Sequence, residues 1–267
     1  MSIGDSGKET SVRFRGGGFA PRPKRWASWL AFAVIISAWQ IASMSGALPA
    51  LFLPSPYEIA LALQAIAADG TLARHLGASL GRIAWGWSLG TLAGLAVGIS
   101  MGIWSLARSV GIPIVSALFP IPKIALLPLL ILWFGIGEPS KVATILLGVF
   151  FPTVISAYSA VDNVPRNLIR MGQSFDMPYA QIVRKIVLPG AMPGILAGFR
   201  ISSSIALILL VAAEMIGAEF GIGAFILSAG NLMQTDQLLA GVVLLSMLGL
   251  LISALLARLE RRVLKWR

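Results

Sequence analysis

The stretch that decides the fold is residues 165–200, PRNLIRMGQSFDMPYAQIVRKIVLPGAMPGILAGFR, which lies between two long apolar segments. Residues 166–175 have room for about two and a half helical turns. Asp176 follows where a helix often ends in the left-handed conformation, which Asp tolerates better than most residues. Pro178 suits the first turn of a second helix. We therefore predict a helix, a bend and a second helix that stops at Leu188 and Pro189, because proline removes a backbone donor.

The composition indicates an integral membrane protein. Hydrophobic residues make up 57% of the 267 residues and charged residues only 12%, with a mean hydropathy of +0.85, against about 25% charged residues in soluble domains. A net charge of +10 is also found in proteins that bind nucleic acids. Here the basic residues lie in tails and short loops, so membrane topology explains them and we expect no nucleic-acid partner. No cysteine is present, and the single His75 cannot build a histidine metal site. We expect neither a metal nor a cofactor on this chain.

Six apolar segments predict an all-α protein with six transmembrane helices in one domain, residues 26–267, after a flexible basic tail, residues 1–25. The first segment ends in residues 42–46, which resemble the cleavage site of a signal peptide. We expect an uncleaved span, because the chain that follows is itself apolar enough to be embedded. The predicted spans are 26–44, 80–103, 112–136, 142–161, 191–213 and 238–257.

The orientation follows from the distribution of lysine and arginine. With the N-terminus inside, sixteen of them lie in the inner pieces, 1–25, 104–111, 162–190 and 258–267, and two in the outer pieces, 45–79, 137–141 and 214–237. Positive charge accumulates on the cytoplasmic side of membrane proteins. Both termini and the loop 162–190, between spans four and five, are therefore predicted to be cytoplasmic. A bent pair of short helices there is suited to a soluble partner.

Two spans have unusual compositions. The second carries a glycine at every fourth position from Gly86 to Gly102, which allows close approach of another backbone, either within one subunit or between two subunits. The third contains Pro113, Pro120, Pro122 and Pro128, and so many prolines exclude a straight lipid-facing helix. We predict that this span is broken and either buried or lining a cavity.

Four residues are candidates for the translocation pathway: Lys123, Pro122, Arg200 and Glu214. A lysine near the middle of a span costs about 2.5–3.5 kcal/mol on insertion, which indicates a functional or paired group unless the side chain snorkels to the interface. Arg200 either lines the pathway or snorkels toward the cytoplasm. The glycine-rich turn after Glu214 is either a gate or a re-entrant connection.

The outer pieces contain two local signals. Ser55 as N-cap, Pro56 at N1 and Glu58 at N3 predict a surface helix over residues 57–68. Residues 135–141 predict a tight hairpin between spans three and four.

Residues 165–200 resemble the coupling loop of ABC-importer permeases. That pattern is Glu-Ala-Ala, three residues, Gly, nine residues, Ile, one residue and Leu-Pro. Its second half matches this chain, whereas its first half does not, and the departure is sharpest where an arginine replaces the family's acid. The positions that the resemblance assigns to ATPase coupling, with the proline of the bend added, are Arg170, Met171, Gly172, Asp176, Pro178, Ile186, Leu188 and Pro189.

A wider resemblance covers residues 53–267 and is to the permease subunits of the nitrate, sulfonate and taurine group of ABC importers. It implies a type I permease fold of six spans in the inner membrane, with a cytoplasmic coupling helix between spans four and five. It also implies a second copy of the permease, a cytoplasmic ATPase dimer, an outer solute-binding protein and a small anionic solute. The matching stretches begin at Ser79, Ile121, Trp133, Phe150, Glu214 and Leu259.

The chain lacks the Gly-x-x-x-x-Gly-Lys-Ser/Thr phosphate loop, so it cannot hydrolyse ATP itself and is not predicted to be an enzyme. ATP would be used by the partner subunit. The alternative is an ion-coupled secondary transporter, but the predicted spans offer no secure acidic ligand for a coupling ion and no evident inverted repeat.

Overall fold

The computed structural model describes residues 25–46, 49 and 51–265, and this part of the chain contains helices and turns but no strand. The all-α prediction is confirmed. The predicted N-terminal tail lies almost wholly outside the described residues. The chain divides into two compact units, residues 1–57 and 58–267. The α-helices of the described residues are α1 Arg25–Met44, α2 Pro56–Ala68, α3 Thr71–Ile103, α4 Ser105–Leu118, α5 Leu127–Phe134, α6 Glu138–Asp162, α7 Arg166–Ser174, α8 Tyr179–Ile182, α9 Leu188–Met215, α10 Ile222–Asn231 and α11 Thr235–Val263. The described part of the first unit contains α1, and the second unit begins within α2.

Among the described residues, four helical stretches are long and apolar enough to cross a membrane, and a bent pair makes a fifth. The four are α3, α6, the continuous helix from Tyr179 to Met215, and α11. These helices extend beyond the predicted spans because the hydropathy pattern marks only their apolar middle. The largest extension is in the continuous helix that begins at Tyr179 rather than at residue 191, and α3 begins at Thr71 rather than at residue 80.

Local signals fix several helix starts. The surface helix α2 begins at Pro56, as predicted. Before α3, Gly70 has φ 78°, and the Thr71 N–H donates to Asp69 Oδ1 at 2.9 Å. This hydrogen bond holds the pKa of Asp69 below its ordinary value.

The third predicted span is broken, as its prolines indicate. Helix α4 and the segment Lys123–Phe134, which opens with a 3₁₀ turn and continues as α5, meet at 84°. Pro122 is extended at the bend, with φ −62° and ψ 112°. Residues 119–122 are exposed in the single chain. The break is therefore confirmed, whereas the alternatives of a buried or cavity-lining segment are not resolved within one chain.

The core forms where α6 packs between α3 and α9. The glycines of α3 face α6 so closely that a methyl group on Gly90 would lie 2.6 Å from the Leu146 carbonyl oxygen. On Gly98 it would lie 2.5 Å from the Val154 carbonyl oxygen. The glycine stripe thus serves packing within the chain, which decides between the two interpretations that the sequence left open.

Candidate functional site

The segment from α7 to residue 189, here called the knob, has the predicted bend. Asp176 has φ 52°, so the predicted left-handed conformation is confirmed. The Met177 N–H donates to the Gly172 carbonyl oxygen at 3.1 Å, and the Asp176 N–H donates to the Gln173 carbonyl oxygen at 3.0 Å. This pair of bonds is the Schellman motif, which satisfies carbonyls at the end of α7. Helix α8 then starts after Pro178, within a residue of the predicted start.

The prediction that the second helix stops at Leu188 and Pro189 is wrong. The helix is continuous from Tyr179 to Met215 and passes through a π-helical segment, Val183–Val187. There the Leu188 N–H donates to the Val183 carbonyl oxygen, five residues back. The π turn shifts the hydrogen-bond register just before Pro189, so the proline occupies the first turn of α9, where a missing N–H is tolerated.

The knob is anchored by a small apolar cluster. Gly172 is buried, and a methyl group there would lie 2.8 Å from Ile186 Cδ1. Ile182 and Val187 are buried among residues of α6 and α9. The Tyr179 hydroxyl donates to the Ile103 carbonyl oxygen at 3.2 Å and so links the knob to the end of α3. The knob is therefore held firmly against the spans.

The outer face of the knob is exposed and carries apolar and basic side chains together. Met171 is 52% exposed and Phe175 is 75% exposed. The side chains of Arg166, Arg170 and Arg184 are exposed, and none of them forms a hydrogen bond or ion pair with another described residue. Exposed apolar residues beside unpaired charges are typical of a surface that another protein covers.

A second polar site lies at the ends of α3 and α9 away from the knob, and we call it the outer brace because the predicted orientation assigns this end to the outer side. Of its members, only Glu214 is among the predicted site residues. Its centre is Arg82 of α3, which is only 3% exposed. The Arg82 guanidinium donates to Glu138 at 2.6 Å from Nε and 2.5 Å from Nη2. Its Nη1 donates to Glu214 Oε1 at 2.7 Å and to the Phe220 carbonyl oxygen at 2.6 Å. One guanidinium thus joins α3, α6, α9 and the turn before α10.

The carboxylate of Glu214 is fully enclosed and fully hydrogen-bonded. It is 1% exposed and accepts from Ser79 Oγ at 2.7 Å and from the Gly223 N–H at 2.8 Å, in addition to Arg82. Ser79 in turn accepts from the Ile222 N–H at 2.9 Å. The start of α10 therefore donates one backbone N–H directly to the buried anion and a second to the serine that is bonded to it, an arrangement that the helix dipole favours.

Sequence reasoning missed the outer brace because its members are far apart in the chain. Ser79 and Arg82 lie one helical turn apart on α3, but the sequence gives no sign of the two glutamates that they meet. The predicted hairpin at residues 135–141 is present, and it also brings Glu138 to Arg82. The turn after Glu214 leads into the short helix α10, which packs back against α9 and α11.

The structure does not assemble the predicted pathway residues into one site. Lys123 Nζ donates to the carbonyl oxygens of Leu118 and Ile121, both at 2.7 Å, and so caps the broken end of α4 beside the exposed Pro122. Arg200 is half-exposed and forms an ion pair with Glu260 near the end of α11. Glu214 belongs to the outer brace.

Comparisons with known proteins agree with this architecture. Residues 90–265 match the family described as binding-protein-dependent transport system inner membrane component. The chain is 38% identical over 239 residues to the taurine transport system permease protein TauC of Escherichia coli strain K12, which covers 88% of this chain and 87% of that protein. It is 37% identical over 235 residues to the putative aliphatic sulfonates transport permease protein SsuC of Bacillus subtilis strain 168, with 88% and 85% covered.

A solved structure of the MetNI methionine ABC transporter, in an inward-facing conformation, has the same fold. Its matching chain superimposes with a TM-score of 0.62 at 25% identity, covering 72% of this chain and 96% of that one. These matches favour ATP-driven import over ion-coupled secondary transport. The chain therefore belongs to the family of binding-protein-dependent transport-system inner-membrane components, as a permease subunit of an ABC importer and not as an enzyme.

Proposed function

We propose that two copies of this chain form the membrane pathway of an importer and that each offers its knob, residues 166–189, to one subunit of a cytoplasmic ATPase dimer. An outer solute-binding protein delivers the solute to the opposite face. The six spans of each copy are α1, α3, the bent pair α4 and α5, α6, the continuous helix from Tyr179, and α11. Both termini lie in the cytoplasm of a cell whose inner membrane holds the complex.

The observation that carries the proposal is the bent knob itself. A Schellman turn at Asp176 fixes its angle, an apolar cluster anchors it, and its exposed face has charges without partners in the described chain. A rigid projection transmits force better than a flexible loop. Closure of the ATPase dimer would move the two knobs together and rotate the spans as rigid bodies, the alternating-access change. The coupling requires different contacts between knob and ATPase in the two states.

The solute that we propose is a small organic sulfonate, taurine included. The support is the pair of relatives above, whose names specify taurine and aliphatic sulfonates. A sulfonate is an anion, and Lys123 at the break in the third span supplies positive charge among exposed residues. Much of the selection would reside in the binding protein, because it meets the solute first. Nitrate, which the sequence resemblance also implies as a solute, is the alternative anion to be compared with sulfonates in the uptake assay.

The test is affinity purification of the tagged chain from its own membranes, followed by reconstitution of the complex with its binding protein. We expect an ATPase and a solute-binding protein to co-purify, and we expect uptake of labelled taurine that requires ATP and is inhibited by unlabelled sulfonates but not by nitrate. Uptake that follows an ion gradient without any ATPase would refute the proposed mechanism. Uptake inhibited only by nitrate would refute the proposed solute.

A further inference from the structure

The knob has a strong excess of positive charge. Residues 166–189 contain four basic residues and one acidic residue, a net charge of +3. The nearest other acid along the sequence, Asp162, is already paired with Arg108 at 2.5 Å. Lys185 donates only to Gln181, at 3.2 Å. The described chain therefore leaves most of this charge without a counter-charge.

Arg170 lies on the exposed surface of α7, next to Met171. Helix α7 turns its buried side, with Gly172 and the partly buried Ile169, toward the spans. At 100° per residue, Arg170 and Met171 project from the opposite side. Phe175 follows at the tip with three quarters of its surface exposed. The exposed side of α7 thus carries a cation beside Met171, and Phe175 follows just after the end of the helix.

Resting on the proposed function, we infer that the ATPase groove that receives this knob is acidic and places a carboxylate against Arg170. The Glu of the family's Glu-Ala-Ala pattern aligns with Arg170, so the charge at this contact is reversed in this chain. An arginine beside apolar groups recognises a carboxylate well, since its guanidinium donates two parallel hydrogen bonds. Arg166 on α7 and Arg184 in the π segment also lack an acidic partner among the described residues, so the groove should offer acidic groups to both helices of the knob.

An anionic membrane surface is the other chemistry that would attract these cations. It fits less well, because the exposed carboxylate of Asp176 sits at the tip of the bend, next to Phe175. An anionic surface would repel that group. A protein groove can place carboxylates against Arg170 and leave Asp176 in water or against a donor.

The experiment uses the purified complex of this chain with its own ATPase. Four forms are compared: the unaltered chain, Arg170→Lys, Arg170→Glu, and Arg261→Glu as a matched control at the exposed end of α11. The fraction of ATPase retained on the immobilised permease is measured at low and high ionic strength, because salt screens exposed charges. We expect Arg170→Glu to weaken retention about tenfold or more at low salt. Arg170→Lys should keep most of the ATPase retention, and Arg261→Glu should retain as much ATPase as the unaltered chain.

A second arm identifies the counter-charge. Carboxylates in the ATPase groove are changed one at a time to lysine, and one of these changes should restore retention to Arg170→Glu while weakening the unaltered chain. Equal retention by Arg170→Glu and the unaltered chain would overturn the inference and leave the proposed function intact. So would binding of the permease to phosphatidylglycerol vesicles that depends on Arg170 while ATPase retention does not. If the unaltered chain retains no ATPase, the proposed function and this inference fail together.

Discussion

Replacing Arg82 tests how far the outer brace stabilises the bundle. The change Arg82→Met keeps the length of the side chain and removes its charge and its four hydrogen bonds. Glu214 is then left as a buried carboxylate without its cation, since its side chain is inaccessible to solvent. Breaking a buried ion pair by removing one partner costs about 3–5 kcal/mol. For a chain of this size each kcal/mol lowers the melting temperature by roughly 2–4 °C, so we expect a decrease of roughly 6–20 °C.

The same geometry predicts that the two glutamates are not equivalent. The side chain of Glu138 is 62% exposed, so water can replace much of what Arg82 gives it. We expect Glu138→Gln to cost only about 1 kcal/mol or less. The double change Arg82→Met with Glu214→Leu should be less destabilised than Arg82→Met alone, because it removes the stranded charge as well.

Thermal unfolding of the purified chain in detergent, followed by the fluorescence of its eight tryptophans, measures these differences. Arg74→Met is the matched control, because Arg74 lies on α3 but is exposed. The reasoning is refuted if Arg82→Met has the same melting temperature as Arg74→Met, or if Glu138→Gln lowers the melting temperature as much as Arg82→Met does.

Three further predictions concern the knob, the core and the break. Asp176→Val should raise ATP hydrolysis per solute transported, because a β-branched residue at φ 52° strains the bend, whereas Asp176→Gly should preserve the ratio measured in proteoliposomes. Gly98→Ala should destabilise the detergent-solubilised chain by about 1–3 kcal/mol, because its methyl group would lie 2.5 Å from a carbonyl oxygen of α6. Gly77→Ala, with open space around it, should be neutral or stabilising by up to about 1 kcal/mol. Lys123→Ala should reduce solute uptake without reducing the amount of assembled complex, since it frees carbonyls at the end of α4; unchanged uptake would count against this role.

The sequence predicts those features that depend on local physics. Membrane class, the helical content and the broken third span follow from hydropathy and proline placement. The left-handed conformation of Asp176 follows from the short periodic stretch before it and the proline after it. Each of these signals lies within about one turn of the structure that it determines, so no knowledge of the partners is needed.

The features that sequence reasoning missed depend on contacts between distant residues or on a choice between close alternatives. Arg82 and Glu214 are 132 residues apart, and only the packing of α3 against α9 and α10 brings them together. At Pro189 the usual rule that proline ends a helix does not hold, because the π turn before it shifts the hydrogen-bond register and the helix continues. The glycine stripe predicted a close contact but not its partner, which turned out to be α6 of the same chain.

The knob and the outer brace occupy the two ends of one helix. The continuous helix from Tyr179 to Met215 has 37 residues, or about 55 Å at 1.5 Å per residue. At one end it carries the knob, and at the other it ends beside Glu214, which Arg82 ties to α3. Helix α3 in turn packs closely against α6 along its glycine stripe. A displacement of the knob that shifted this helix alone along its axis would separate Glu214 from Arg82. To keep that contact, the displacement has to rotate α3, α6 and α9 together, or bend the helix at the π segment Val183–Val187, where the hydrogen-bond register already changes. Coupling by rotation needs the outer brace intact, whereas coupling by local bending does not, and this difference makes Arg82 a functional residue if the three helices move as one body.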